Sequence, residues 1–187
     1  MRSGVVLTGG TARGAKLQSV PGRDVRPATS RVRISLFEIL RARLPGAVAV
    51  DLFAGTGSLG LEALSRGAAF CSFFDTDPRA AEVLRRNLEK LRFTDRADVR
   101  LESAFRAVAV LNRPVDLVFV DPPYAFYDDR REEMERLLAD WARSPLLAPE
   151  AKILVERRPR QPVAYSGLEV VDERSYGGTI VTFLRRA

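Results

Sequence analysis

The run VDLVFV (115–120), apolar and strand-forming, stops on Asp121 and is followed by Pro122, Pro123 and Tyr124. A carboxylate leaving a buried strand offers fixed hydrogen-bond acceptors, and the backbone carbonyl of Pro122 offers another. The two prolines restrict the loop that carries both. An exocyclic amine on a nucleobase is a poor nucleophile because its lone pair is delocalised into the ring. Two acceptors that receive both amine hydrogens favour a tetrahedral nitrogen and stabilise the positive charge that develops when it attacks. Tyr124 is placed to stack on a base taken out of its helix. The chemistry this set suits is alkylation of a conjugated amine, in which positioning does most of the work.

A second constellation lies 70 residues earlier. In DLFAGTGSLG (51–60), the pattern Gly55-x-Gly57-x-x-Gly60 sits between an expected strand and an expected helix, and Asp75 follows Gly55 by 20 residues. Glycines there let the backbone approach a ligand, the helix start offers amide donors, and the acid receives ribose hydroxyls. Asp51 opposes a dinucleotide, because an anion facing the pocket would repel a pyrophosphate. It suits a ligand with an ammonium and a sulfonium, and S-adenosylmethionine has both. The stretch resembles the glycine loop of Rossmann-like methyltransferases. That likeness places Asp51 near the methionine amine, Phe53, Ala54, Gly55 and Gly57 along the cofactor, and Asp75 with Thr76 at the ribose. Many such enzymes carry an aspartate after the third strand for the adenine amine. Ser103 and Ala104 stand there instead, so adenine is expected to meet Ser103 or backbone groups. Asp77 is expected to cap the helix that Pro78 opens. The Asp-Pro-Pro-Tyr tetrapeptide in turn resembles the Asp/Asn-Pro-Pro-aromatic motif of amino-methyltransferases, which assigns catalytic roles to Asp121, Pro122 and Tyr124.

The elements that must position these residues follow from periodicity. Short apolar runs at 47–53, 69–75, 97–102, 115–120 and 151–156 alternate with helical patterns after Ser58, after Pro78, around 104–111 and around 129–143. LEVVDE and TIVTFL then read as two strands joined at Gly177-Gly178. The fold class is α/β: a Rossmann-like, mostly parallel seven-stranded sheet with an antiparallel C-terminal edge hairpin. Ligands of such sheets bind beyond the carboxyl ends of the strands, where Asp51, Asp75 and Asp121 all fall. The division expected is a basic appendage, residues 1–45, and a methyltransferase domain, residues 46–187. In the appendage, VVLTGG and GAKLQSV are expected to make a small hairpin, and a helix starts near Thr29 or Ser30 with Leu36, Phe37 and Leu40 facing inward.

Composition narrows the chemistry. The 187 residues include no histidine and one cysteine, Cys71. Imidazole bases are excluded, no metal site is expected, and a lone cysteine fits a reducing, cytoplasmic setting. Cys71 falls inside a strand, so it is expected in the core and not as the nucleophile that pyrimidine C5 methylation requires. No apolar run is long enough to span a membrane. The net charge of +6 is concentrated at one end: residues 1–45 hold nine basic side chains against two acidic ones, and the rest hold 21 against 22. A polyanion such as nucleic acid is the expected partner.

Nearly the whole chain resembles the bacterial 16S rRNA guanine-N2 methyltransferases of the RsmD type. The likeness runs through LTGGTARGAKL (7–17), RPATSRVRISLFEIL (26–40), DLFAGTGSLGLEALSRGA (51–68), FVDPPY and YGGTIVTFL (176–184). It implies an S-adenosylmethionine-dependent transfer to one guanine N2 amine of 16S rRNA, within a partly assembled small subunit, by a monomer. It also implies RNA contacts at Arg13, Arg26, Arg31 and Arg33. The sequence departs from the family at Ala28, Ser30, Ile34 and Gly178. Two other readings stay open at this point. One is a DNA or other adenine-N6 amino-methyltransferase, for which about 45 residues outside the catalytic fold leave little room for a target-recognition module. The other is an inactive RNA-binding protein on the same fold, which the intact Asp121 and glycine loop oppose.

Overall fold

The computed structural model describes residues 4–20 and 30–187. Seven strands form one sheet: β1 (Val48–Asp51), β2 (Phe70–Asp75), β3 (Ala97–Leu101), β4 (Val115–Val120), β5 (Leu147–Arg157), β6 (Leu168–Tyr176) and β7 (Thr179–Arg186). Their order is β3-β2-β1-β4-β5-β7-β6. β1 to β5 run parallel, whereas β7 is antiparallel to both β5 and β6. The expected Rossmann-like sheet and its C-terminal hairpin are therefore present. The helices are α1 (Ser30–Ile39), α2 (Ser58–Ser65), α3 (Pro78–Leu91), α4 (Ala107–Val110), α5 (Phe126–Asp129) and α6 (Arg131–Arg143).

Period-two alternation splits the core into two layers. Phe73, Phe119, Leu154 and Phe183 face one side and pack with Phe37 of α1, Leu61 and Leu64 of α2, and Leu84 and Leu88 of α3. Val50, Phe74, Val118, Val120, Ile153 and Val155 face the other and meet Met134, Leu137, Leu138 and Trp141 of α6. The i, i+3, i+4, i+7 stripe that predicted α6 is thus its buried face. α3 begins as expected: the amide of Arg79 donates to Asp77 Oδ1 at 2.9 Å and Pro78 is its first residue. The helix expected at 104–111 is instead a 3-10 turn, 104–106, followed by α4. Cys71 lies in β2, fully buried.

The described part of the basic segment packs on the same core. Its hairpin reduces to one antiparallel bridge between Val6 and Lys16, with the amide of Leu7 donating to the Ala15 carbonyl at 3.0 Å and that of Leu17 to Val5 at 2.8 Å. Leu7 and Leu17 join the core layer under α1 to α3, and Phe37 packs on Phe119 with ring centroids 5.8 Å apart. The turn of the hairpin presses on the end of α2. Thr8 donates through its amide and hydroxyl to Glu62 at 2.8 and 2.7 Å, and the Thr11 amide donates to the Ser65 carbonyl at 2.7 Å. Gly10 takes φ +77, and a Cβ there would stand 1.8 Å from the Ser65 carbonyl oxygen. Gly10, the second glycine of LTGG, is therefore needed for close backbone contact, whereas Gly9 lies against the Arg66 guanidinium.

Candidate active site

Chain order reverses between β1 and β4, because β2 and β3 extend the sheet one way and β5 to β7 the other. Beyond the carboxyl ends of those strands lies a cavity of about 530 Å³, within the range of small-ligand sites. Its wall includes Asp51, Phe53, Ala54, Gly55, Asp75, Thr76, Ser103 and Ala104, together with Asp121, Pro122 and Tyr124. All the predicted catalytic and cofactor residues except Gly57 therefore meet in one place. Gly57 lies beneath the wall at the start of α2, with φ +88; a Cβ there would be 2.4 Å from Leu84 Cδ1. It shapes the loop, while Gly55 faces the cavity.

The acids around the cavity differ in their surroundings. Asp51, 2% exposed, accepts from the Gly60 amide at 3.0 Å. Burial pushes its carboxyl up to about 7, assisted by the nearby Asp75 charge and opposed by that amide. Asp75 is held by the amides of Gly55 (2.7 Å to Oδ2) and Asp77 (2.8 Å to Oδ1), which aims its remaining lone pairs into the cavity. The loop is braced from behind by the buried Asn87, whose Nδ2 donates to Thr56 O at 3.1 Å and to Gln18 O at 3.2 Å. Val5, Ser19 and Val20 of the N-terminal segment complete that side of the wall.

Asp121 follows directly on β4 and receives no protein hydrogen bond among the described residues. Burial, Glu156 and Asp51, in that order, hold its carboxyl well above the usual range. The carbonyls of the following loop are used unequally. Pro123 O accepts from the Phe126 amide at 2.8 Å, and Tyr124 O accepts from the Tyr127 amide at 3.2 Å and Gln161 Nε2 at 2.9 Å. No described group donates to the carbonyl of Pro122. A carboxylate and a carbonyl thus stand side by side with their acceptor capacity free.

Several residues at this rim escaped the sequence reading. Glu156, at the end of β5, accepts from the Tyr124 hydroxyl at 3.1 Å, and Thr179 shares that hydroxyl at 3.0 Å. Phe105 and Phe126 join the expected Phe53 in an aromatic wall with centroids 6.0–6.5 Å apart, and Arg130 lies over Phe105 and Phe126 at 4.6 and 4.7 Å. Tyr124, expected to stack on a base, already carries the Arg158 guanidinium 4.7 Å from its ring centroid. Arg158 does not line the cavity, so the cavity side of the ring stays available.

The predicted RNA-contacting arginines separate. Arg13 and Arg31 are exposed. Arg33 is 1% exposed and donates from Nη2 to the Val6 carbonyl at 2.7 Å, so in this structure it anchors the hairpin and does not face solvent. The reason is helical spacing: Arg33, Leu36, Phe37 and Leu40 share the inward stripe of α1 and the turn after it. Arg26 lies outside the described residues. Among the described residues no helix is long and apolar enough to cross a membrane, and no group of three or more acidic or cysteine side chains could hold a metal ion.

Comparison with known proteins agrees with this geometry. The chain is 40% identical over 150 residues to the Escherichia coli protein named Ribosomal RNA small subunit methyltransferase D, covering 80% of this chain and 73% of that one. It is 32% identical to YlbH of Bacillus subtilis over 95% of this chain and 96% of that protein. The solved structure of yhhF from Escherichia coli superposes with a TM-score of 0.84 at 34% identity, covering 97% of both chains. The family described as conserved hypothetical protein 95 matches residues 5–185, and the chain belongs to it, the RsmD-like family of rRNA methyltransferases.

Proposed function

We propose that the protein methylates the exocyclic N2 amine of a guanine in small-subunit rRNA, with S-adenosylmethionine as methyl donor. The observation that carries this reading is the pair of free acceptors, the Asp121 carboxylate and the Pro122 carbonyl, at the edge of the cavity that Asp51 and Asp75 also line.

The donor set fits S-adenosylmethionine. Asp51 offers a buried negative charge for the ammonium, and its raised carboxyl marks an anion that lacks a cation. The amide-pinned Asp75 offers ribose acceptors, the start of α2 offers donors to a carboxylate, and Phe53 and Phe105 offer apolar faces to a purine. Ser103, whose hydroxyl accepts from the Phe105 amide at 3.4 Å, stands with Ala104 where the adenine amine is expected. Bound there, the cofactor supplies an electrophilic methyl group on a positively charged sulfur.

The chain's own residues do the rest. Asp121 and Pro122 O receive the two amine hydrogens, turn the nitrogen lone pair out of conjugation and aim it at the methyl carbon. The new N–C bond would form from that lone pair as the methyl carbon's bond to sulfur breaks, with its electrons left on a now neutral thioether, and the surplus proton would leave the nitrogen for Asp121. Its elevated affinity for protons makes Asp121 a better acceptor than an ordinary carboxylate. Tyr124, fixed by Glu156 and Thr179, offers its cavity-facing ring to the guanine.

RNA as substrate is supported by the relatives' names, by the exposed Arg13 and Arg31, and by the basic N-terminal balance. On this reading residues 1–45 are an RNA-contacting appendage to a methyltransferase domain of residues 46–187, acting as a monomer on a partly assembled small subunit in the cytoplasm. The test is nucleoside mass spectrometry of small-subunit rRNA from cells lacking the protein, before and after incubation with purified enzyme and deuterated-methyl cofactor. One N2-methylguanosine gained on incubation supports the reading. Label found only in N6-methyladenine of added DNA, or in no nucleoside, overturns it.

A further inference from the structure

At the end of β5 the chain runs Arg157-Arg158-Pro159-Arg160-Gln161, and this turn is built against the Asp-Pro-Pro-Tyr loop. Gln161, buried, donates from Nε2 to Tyr124 O at 2.9 Å and to Asp128 Oδ2 at 3.0 Å, while its Oε1 accepts from the Arg158 amide at 3.0 Å. Arg157 is turned inward to Glu173, 3.0 Å away, and to the Tyr165 hydroxyl at 3.4 Å. Arg158 and Arg160 point the other way. Both are exposed, and among the described residues no side-chain acceptor meets either guanidinium. Arg130, Arg131 and Arg174, on neighbouring elements, each pair with a carboxylate. Arg160 also holds a left-handed φ of +67, which an L side chain adopts at a cost. A buried glutamine and a strained backbone therefore fix two uncompensated cations beside the catalytic loop.

Their position defines what they can meet. Arg158 stacks on Tyr124 from outside the cavity. A guanidinium stacked by its face keeps its N–H edge free, and that edge matches a phosphate. A nucleotide whose base enters the cavity carries its sugar–phosphate backbone across this same rim. We propose that Arg158 and Arg160 form a phosphodiester-binding site at the cavity mouth, which grips the backbone flanking the methylated nucleotide while Arg158 steadies the Tyr124 ring. The site rests on the reading of the substrate as RNA.

The experiment measures equilibrium binding of a single-stranded RNA oligonucleotide to wild-type protein, Arg158→Ala, Arg160→Ala and Arg158→Lys over a range of salt. Cofactor affinity by calorimetry serves as the check on folding. Each alanine variant is expected to weaken RNA binding and flatten the slope of log K against log salt by about 0.7, the value for one lost phosphate contact on a single strand. Arg158→Lys keeps the slope but loses the planar stack, so its methyl-transfer rate falls. Cofactor affinity stays within about twofold in all, since neither arginine lines the cavity. If wild-type protein binds RNA and both alanine variants keep its slope, the phosphate site is wrong and the proposed function stands. If wild-type protein shows no salt-dependent RNA binding, both fall.

Discussion

Tyr124 and Glu156 are joined by a hydrogen bond of 3.1 Å across the ends of two neighbouring strands, and this places a fourth carboxylate beside the catalytic one. Val120 of β4 pairs with Val155 of β5, so the next residues, Asp121 just past the end of β4 and Glu156 still within β5, stand side by side at the rim. Glu156 thereby does two things. It fixes the tyrosine ring that closes the amine site, and its charge helps hold the Asp121 carboxyl up.

The two roles can be separated by substitution. Glu156→Gln keeps an acceptor for the Tyr124 hydroxyl and removes the charge. The Asp121 carboxyl then ionises at lower pH, so the acidic limb of the kcat/KM profile is expected to move downward with kcat changed less than about fivefold. Glu156→Ala also frees Tyr124 and should cost about tenfold or more in kcat/KM. An acidic limb that does not move in Glu156→Gln separates Glu156 from the ionisation of Asp121.

Asp51 makes a prediction about both stability and binding. Its carboxyl ionises near 7 in the folded protein and near 3.8 in the unfolded chain. Between those values the folded state binds more protons, so this group destabilises the cofactor-free protein progressively as pH rises from about 4 to 7, with no further loss above. The full effect is on the order of 4 kcal/mol, because each tenfold difference in proton affinity is worth about 1.36 kcal/mol. Asp51→Asn should therefore melt higher than wild type at pH 8, and the gap should close as pH falls toward 4. S-adenosylmethionine should bind wild type more tightly as pH rises through 7, and the variant should lose that dependence. Thermal melts and calorimetry at three pH values check both.

Gly60 ties the loop to the core. A Cβ there would lie 2.2 Å from Phe73 Cε1 and 2.7 Å from Cys71 Sγ, and its amide is the donor to Asp51. Gly60→Ala is expected to cost about 1–3 kcal/mol in urea unfolding by overpacking, and to weaken cofactor binding as well.

Arg31 and Arg33, two residues apart, should respond oppositely. Arg33→Ala removes the donor to the Val6 carbonyl and should cost about 1.5–3 kcal/mol of stability, leaving the salt slope of RNA binding unchanged. Arg31→Ala, at an exposed site, should leave stability within about 0.5 kcal/mol and reduce that slope. A flattened slope in Arg33→Ala would return it to the interface.

The fold was legible because each strand carries a local signal. β4 coincides with VDLVFV, and Asp77, Pro78 and the α6 stripe announce their helices without tertiary help. The catalytic loop was legible because Asp121, Pro122 and Tyr124 are contiguous. What escaped was assembled from distance. Phe105, Phe126 and Arg130 come from two connections other than the one that carries the expected Phe53, and no spacing along the chain links them to it. Glu156 is different: an acid ending an apolar run marked Asp51, Asp75 and Asp121, and AKILVE ends on the same signal. Arg33 was also readable, since it shares the inward spacing of Leu36, Phe37 and Leu40. Its charge suggested surface where its position implied core. The choice between Gly55 and Gly57 as the cavity-facing glycine depended on how α2 and α3 pack behind the loop, where Leu84 and Leu61 close on Gly57.

Single-turnover methyl transfer by Asp121→Ala, run beside calorimetry of its cofactor binding, tests the amine clamp most directly. The clamp predicts a rate at least about 100-fold below wild type with cofactor affinity within about threefold, because Asp121 acts on the amine and Asp51 and Asp75 hold the donor. A variant that still methylates rRNA at the wild-type rate contradicts it.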